Sequence, residues 1–195
     1  MREARGHVEH RLWLILYWMW IVSELLLIVV TRTRTSSGNV RDRGSIFVLW
    51  IVIFSSIFAG SWYGAVHPHT ILAGAHWVKT ASVAILVAGL AVRWTAIVSL
   101  GRAFSVNVAI HADQKLYRKG LFGLVRHPSY TGMLIVFAAI GVRTQNWGAL
   151  AIILIPAFAA LLYRIRVEEA ALRHAFGPDY GEYSMTTKRL LPGIY

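Results

Sequence analysis

The chain contains no cysteine, which excludes disulfides, thiolate metal centres and a cysteine nucleophile. Acid is scarce: nine Asp and Glu stand against twenty Lys and Arg, giving a formal charge of +11. There is no internal repeat, low-complexity tract or linker marking a second domain. A Gly-rich nucleotide-binding motif is missing as well. The N-terminal apolar run, residues 12–30, is longer than a signal-peptide core and has no small-residue cleavage pattern after it, so a retained span is expected.

What the sequence has instead is apolar mass. Of 195 residues, 56% are hydrophobic, including eight Trp. A soluble domain of this length has no core large enough to hide that surface, so the expected solvent is lipid. The basic residues are scattered between apolar runs rather than gathered on one domain. That pattern argues against a nucleic-acid partner and for basic inter-span loops.

Five segments have the character of helical spans: residues 12–30, 45–66, 77–100, and the shorter pair 130–142 and 148–163. Only residues 143–147 separate the last two, which predicts an antiparallel helical hairpin. Pro156 removes a backbone donor from its second arm, where a kink is expected. Five spans put 31–44, 101–128 and 164–195 on one side of the membrane. These carry fourteen of the Lys and Arg residues against five on the other side, so they are predicted to be cytoplasmic. The reading is an all-α integral membrane protein, one domain over 1–195, with about five transmembrane helices and an extracytoplasmic N-terminus. A cytoplasmic loop and a C-terminal helix complete it. Glu24 and Arg93 are the only charges well inside spans and fall at similar depth. They are expected to pair, the alternative being contact with a substrate.

Two polar clusters sit at the water-facing ends of apolar segments. The first is Arg126-His127-Pro128-Ser129-Tyr130, where Pro128 suits the first turn of the following helix and leaves amide groups free for a polar ligand. His127 has no second His or carboxylate at helical spacing, so no metal site is expected. The second cluster is Arg164 with Glu168 and Glu169, on a helix predicted to stop at Gly177-Pro178. At a helical period Arg164 and Glu168 share a face with Ala171, Leu172 and Ala175, leaving room for a bound molecule. Arg166, Glu169 and Arg173 fall on the opposite face, which predicts ordinary solvated ion pairs there.

Arg126-His127-Pro128-Ser129-Tyr130-Thr131-Gly132, then Arg164-x-x-x-Glu168-Glu169, then Phe176-Gly177 with Tyr180, Tyr183, Arg189 and Pro192-Gly193, resembles the isoprenylcysteine carboxyl methyltransferase family, to which phospholipid methyltransferases are related. The resemblance runs from about Gly101 to the end. It implies a membrane enzyme that uses S-adenosylmethionine to methylate a lipophilic or lipidated substrate, most directly at a carboxylate. It further implies that Gln114, Lys115, Leu116 and Tyr117 line the adenosine, while Phe122, His127, Pro128, Ser129 and Tyr130 complete the cofactor wall. Asn107 would be a further cofactor contact. Glu168 would hold the cofactor's polar end and Arg164 would face the substrate carboxylate, the two forming the catalytic pair. Gln114-Lys115-Leu116-Tyr117 stands where the family commonly has His-x-Leu-Val, and Leu121-Phe122 where Pro-Tyr is common, which leaves the substrate's identity open.

Methyl transfer from a sulfonium is an in-line displacement that mainly needs positioning and exclusion of water. A carboxylate acceptor is already ionised and needs no base. An amine or thiol acceptor needs one, for which His127, His111 and Glu168 are the nearby groups. The alternatives are a phospholipid or amine N-methyltransferase, a sterol-reductase-like enzyme, and a non-catalytic membrane protein whose basic loops bind anionic lipids. The reductase reading requires a phosphate-binding set that the sequence lacks. The last reading accounts for the Arg-rich 31–44 loop but not for the two unlike faces of the final helix.

Overall fold

The computed structural model describes residues 2–34, 44–68, 76–104 and 115–194. Asn107, His111 and Gln114 lie outside the described residues, as does most of the Arg-rich connection after the first helix. Seven α-helices are described: α1 (Arg2–Arg34), α2 (Gly44–Val66), α3 (His76–Leu100), α4 (Leu121–Leu124), α5 (Pro128–Arg143), α6 (Trp147–Phe176) and α7 (Pro178–Thr186), with a single 3-10 turn at Gly101–Ala103. Stretches of α1, α2, α3 and α6 are long and apolar enough to cross a membrane, and α5 is a shorter apolar helix beside them. This is an all-helical, multi-pass membrane protein.

Local chemistry sets the helix ends. Pro128 occupies the first turn of α5, where its missing N–H costs nothing. Asn146 caps α6: its Oδ1 accepts from the Ala149 amide at 3.1 Å, while its Nδ2 donates to the His67 carbonyl at 2.7 Å. One side chain thus starts α6 and ties it to the end of α2. The second arm of the expected hairpin is only the first half of α6, a single 30-residue helix that runs through Pro156 and on to Phe176. It ends at Gly177, whose φ of 51° turns the chain back into α7.

Across the bundle the helices pack in the order α1, α3, α5, α6, α2, with α5 at the centre. The α3–α5 crossing is tight. A Cβ on Gly132 would come within 2.6 Å of the Arg93 amide nitrogen, and one on Gly89 within 2.9 Å of the Val136 nitrogen. Lipid gives helices no hydrophobic drive to associate, so close backbone contact at small residues is what holds such a crossing together. Fully buried Trp20 meets Phe137 edge-on, with ring centroids 5.9 Å apart, and joins α1 to the same core.

Polar contacts gather three elements at one end of the bundle. Arg143 donates to Glu9 at 2.6 Å, Thr80 donates to the other oxygen of Glu9 at 3.2 Å, and the Arg143 guanidinium lies 5.0 Å over the Trp13 ring. The first part of α1, the start of α3 and the end of α5 therefore meet there, beside the His67–Asn146 contact. The start of α5 and all of α7 lie at the other end, which is where both polar sequence clusters fall.

Candidate active site

The tight α3–α5 crossing delivers Arg93 to the first turn of α5. Its guanidinium forms a two-pronged pair with Glu24, with Nη2 at 2.6 Å from Oε2 and Nε on Oε1. Its remaining Nη1 donates to Ser129, at 2.7 Å to Oγ and 3.3 Å to the carbonyl. Glu24 and Arg93 are each 3% exposed. A buried intramembrane charge is tolerated when every donor finds an acceptor, and here the pair joins α1, α3 and α5 at one point. The same two residues line the floor of a cleft.

That cleft has an open volume of about 1180 Å³, part of it continuous with the surroundings. Lys115, Leu116, Tyr117, Phe122, His127, Pro128, Ser129, Tyr130 and Glu168 all line it, so every expected cofactor-wall residue among the described ones is brought to one place. Tyr117 meets Phe122 edge-to-face at 5.5 Å. Along α6, Glu168, Leu172 and Phe176 face the cleft at four-residue intervals, as the helical period requires. Tyr130 donates from its hydroxyl to Glu168 at 2.8 Å. Arg164 does not line the cleft; it is 1% exposed and lies behind the wall, its positive charge near that same Tyr130 hydroxyl.

Glu169 departs from the sequence expectation. It is not on a solvated face but 2% exposed, at the centre of a cationic cluster. Arg126 donates to it at 3.0 and 3.1 Å, Arg189 at 2.9, 3.1 and 3.2 Å, and His127 Nε2 lies 3.4 Å from Oε1. Arg173 is its helical partner at 3.7 Å and is more than half exposed, as expected of that face. The physical reason is that α7 and the C-terminal segment fold back over this side of α6. Val125 pairs with Lys188 in an isolated parallel bridge, with Arg126 N–H donating to the Lys188 carbonyl at 2.7 Å and His127 N–H to that of Arg189 at 3.0 Å. Arg126 also donates to the Ser184 carbonyl at 2.9 Å and to that of Thr187.

Residues beyond the expected set complete the wall. Tyr180 and Tyr183 of α7 are buried against the cleft. Tyr183 donates to the Phe122 carbonyl at 2.5 Å. Burial pushes its phenol up to about 12 against the opposing pull of Arg126 and Arg118, so it stays a donor. Burial likewise pushes Tyr180 well above the ordinary tyrosine value. Its hydroxyl has no hydrogen-bond partner among the described residues, an orphaned donor beside the cleft. The motif spacing Phe176-Gly177-x-x-Tyr180-x-x-Tyr183 was the available signal, since a short helix after a reversing glycine turns positions three apart to one side. Trp50 and Leu49 of α2 also line the cleft; in the sequence they are indistinguishable from lipid-facing residues.

Residues 82–174 match the model of the isoprenylcysteine carboxyl methyltransferase (ICMT) family. The matched stretch is a little under half of the chain. A probable protein-S-isoprenylcysteine O-methyltransferase of Oryza sativa subsp. indica is 33% identical over 127 residues, covering 61% of this chain and 64% of the rice protein. Protein-S-isoprenylcysteine O-methyltransferase B of Arabidopsis thaliana is 30% identical over 125 residues, covering 60% and 61%. The chain therefore spans less than two thirds of the length of these ICMT relatives. The solved structure of the eukaryotic intramembrane Ras methyltransferase ICMT superposes with a TM-score of 0.62 over 92% of this chain and 64% of that one, at 22% identity, and so shares the fold.

Proposed function

We propose that the protein is an S-adenosylmethionine-dependent methyltransferase that modifies a lipophilic acceptor at the membrane, with a carboxylate as the acceptor group and the cleft on the cytoplasmic side. The observation that carries this reading is the convergence of the cofactor-wall residues, from Lys115 to Glu168, on one cleft at the end of the bundle. The donor set fits the cofactor. Tyr117 and Phe122 offer apolar ring surface to a purine, and Glu168 offers a carboxylate to an ammonium group. Ser129 Oγ accepts from Arg93; a guanidinium cannot accept in return, so the Ser129 hydroxyl, like that of Tyr180, has a hydrogen to give to a ligand oxygen. When bound, S-adenosylmethionine would supply the electrophilic methyl group.

The rest of the chemistry is positioning. Tyr130 donates to Glu168 at the cleft wall, and the Arg164 charge acts on Tyr130 from behind that wall, so Arg164 can influence Glu168 through Tyr130. His127 supports the carboxylate reading by its engagement elsewhere, since its Nε2 faces Glu169. An amine or thiol acceptor would need a free base that His127 does not offer in this geometry. The reading is tested by titrating the purified protein with S-adenosylhomocysteine in a calorimeter. Saturable one-to-one binding is expected, and its absence overturns the proposal. Arg164→Lys keeps the charge and loses the planar fork. Turnover should fall by on the order of a hundredfold, the scale of a misplaced reacting group, with cofactor affinity kept within a few-fold. Normal turnover on the best substrate would reduce Arg164 to a structural ion.

A further inference from the structure

We propose that the turn at residues 191–194 is an interfacial membrane anchor, which seats the C-terminal wall of the cleft on the headgroup–acyl boundary of the bilayer. The anchor does not depend on the methyltransferase reading. Leu191 and Ile194 are 51% and 78% exposed, although they belong to the polar end of the molecule. A turn fixes them: the Ile194 N–H donates to the Leu191 carbonyl at 3.2 Å, across Pro192 and a Gly193 with φ of 77°. Pro followed by a positive-φ Gly suits a tight turn, so two apolar side chains are presented at its ends without a loose loop between them.

The level of this turn is set by hydrogen bonds to α5. The Lys188–Arg189 backbone pairs with Arg126 and His127, and Thr131 Oγ1 donates to the Leu190 carbonyl at 2.8 Å. Leu190 itself is buried. The segment therefore runs alongside the first turn of α5. Counting equally from the hairpin turn at 144–146, Pro128 falls level with about residue 162 of α6, since both helices rise equally per residue. There α6 changes character: Tyr163 is 55% exposed and Arg166 is exposed just beyond it. An outward aromatic followed by outward cations marks a membrane–water boundary. Leu191 and Ile194 thus continue the lipid-facing surface of the bundle at its rim. Lys188, exposed and one step outward along the segment, is suited to anionic headgroups. Asp179 and Glu182 of α7 are exposed in turn and face water.

The chain has no cysteine, so single-cysteine labels report cleanly. Full-length protein carrying Leu191→Cys or Ile194→Cys, spin-labelled in vesicles of phosphatidylcholine and phosphatidylglycerol, is compared for collisions with oxygen and with a water-soluble nickel chelate. Phe58→Cys on exposed α2 and Glu182→Cys serve as lipid and water references. Oxygen should relax the 191 and 194 labels several-fold more than nickel, with the order reversed at 182. Nickel-dominated relaxation at both positions overturns the anchor. Protection from both reagents overturns it too, because protein rather than lipid would then cover the turn.

Discussion

Glu168 and Glu169 are neighbours in sequence and about 100° apart around α6, and their surroundings differ accordingly. Glu168 lines the cleft and accepts one hydrogen bond, from Tyr130. Glu169 is the shared counter-ion of Arg126 and Arg189, with His127 against it. Glu168→Gln should therefore leave the melting temperature nearly unchanged while weakening S-adenosylhomocysteine binding tenfold or more. Glu169→Gln leaves two largely buried guanidiniums without their charge partner, a loss of about 3–5 kcal/mol on the scale of broken buried pairs, read as a large drop in thermal unfolding temperature. Equal melting temperatures for the two variants would refute this division. The place of Glu168 and Leu172 on the cleft face of α6 was legible from the helical period, whereas Arg164, assigned to the same face, lies behind the wall. The role of Glu169 was not legible, because helical periodicity gives the direction of a side chain and not what covers it.

At the scale of elements, helix positions followed from apolar length and from their punctuation by Pro128 and Gly177, both readable in advance; the Asn146 cap was not among the readings. What joins the elements was less legible. Gly132 and Gly89 allow α3 and α5 to touch, and that contact places Arg93 against both Glu24 and Ser129. A glycine in an apolar helix does not announce which neighbour it admits. Gly132→Ala should force the crossing apart, since the added Cβ would lie 2.6–2.8 Å from Arg93 backbone and Cβ atoms. Overpacking of this kind costs about 1–3 kcal/mol and should loosen Ser129 in the cleft wall as well. Gly6→Ala meets nothing within 4 Å and should be neutral or stabilising by up to about 1 kcal/mol. Paired thermal melts of the two variants decide the matter: similar melting temperatures would mean that the α3–α5 contact gives way at little cost.

For the whole molecule, the contacts that gather Glu9, Thr80, Arg143, His67 and Asn146 at one end fix which termini share a membrane face. The N-terminal part of α1, the end of α2 and the start of α3 lie at that end, and α7 with the segment up to residue 194 at the other. Charge then selects the orientation: fourteen Lys and Arg residues fall in the segments at the cleft end against five at the far end, so the cleft end should be cytoplasmic. A cofactor drawn from the cytoplasm and an acceptor dissolved in the bilayer would then meet at the rim where both can reach. His67→Cys and Glu182→Cys, each the single cysteine of its chain, test this with a membrane-impermeant maleimide on intact cells. His67→Cys should react from outside, and Glu182→Cys only after permeabilisation. Reaction of both from the same side would break the alternation of helices on which the fold reading rests. The reverse pattern would keep the fold and overturn the charge argument, moving the cleft to the face where the cofactor is not made.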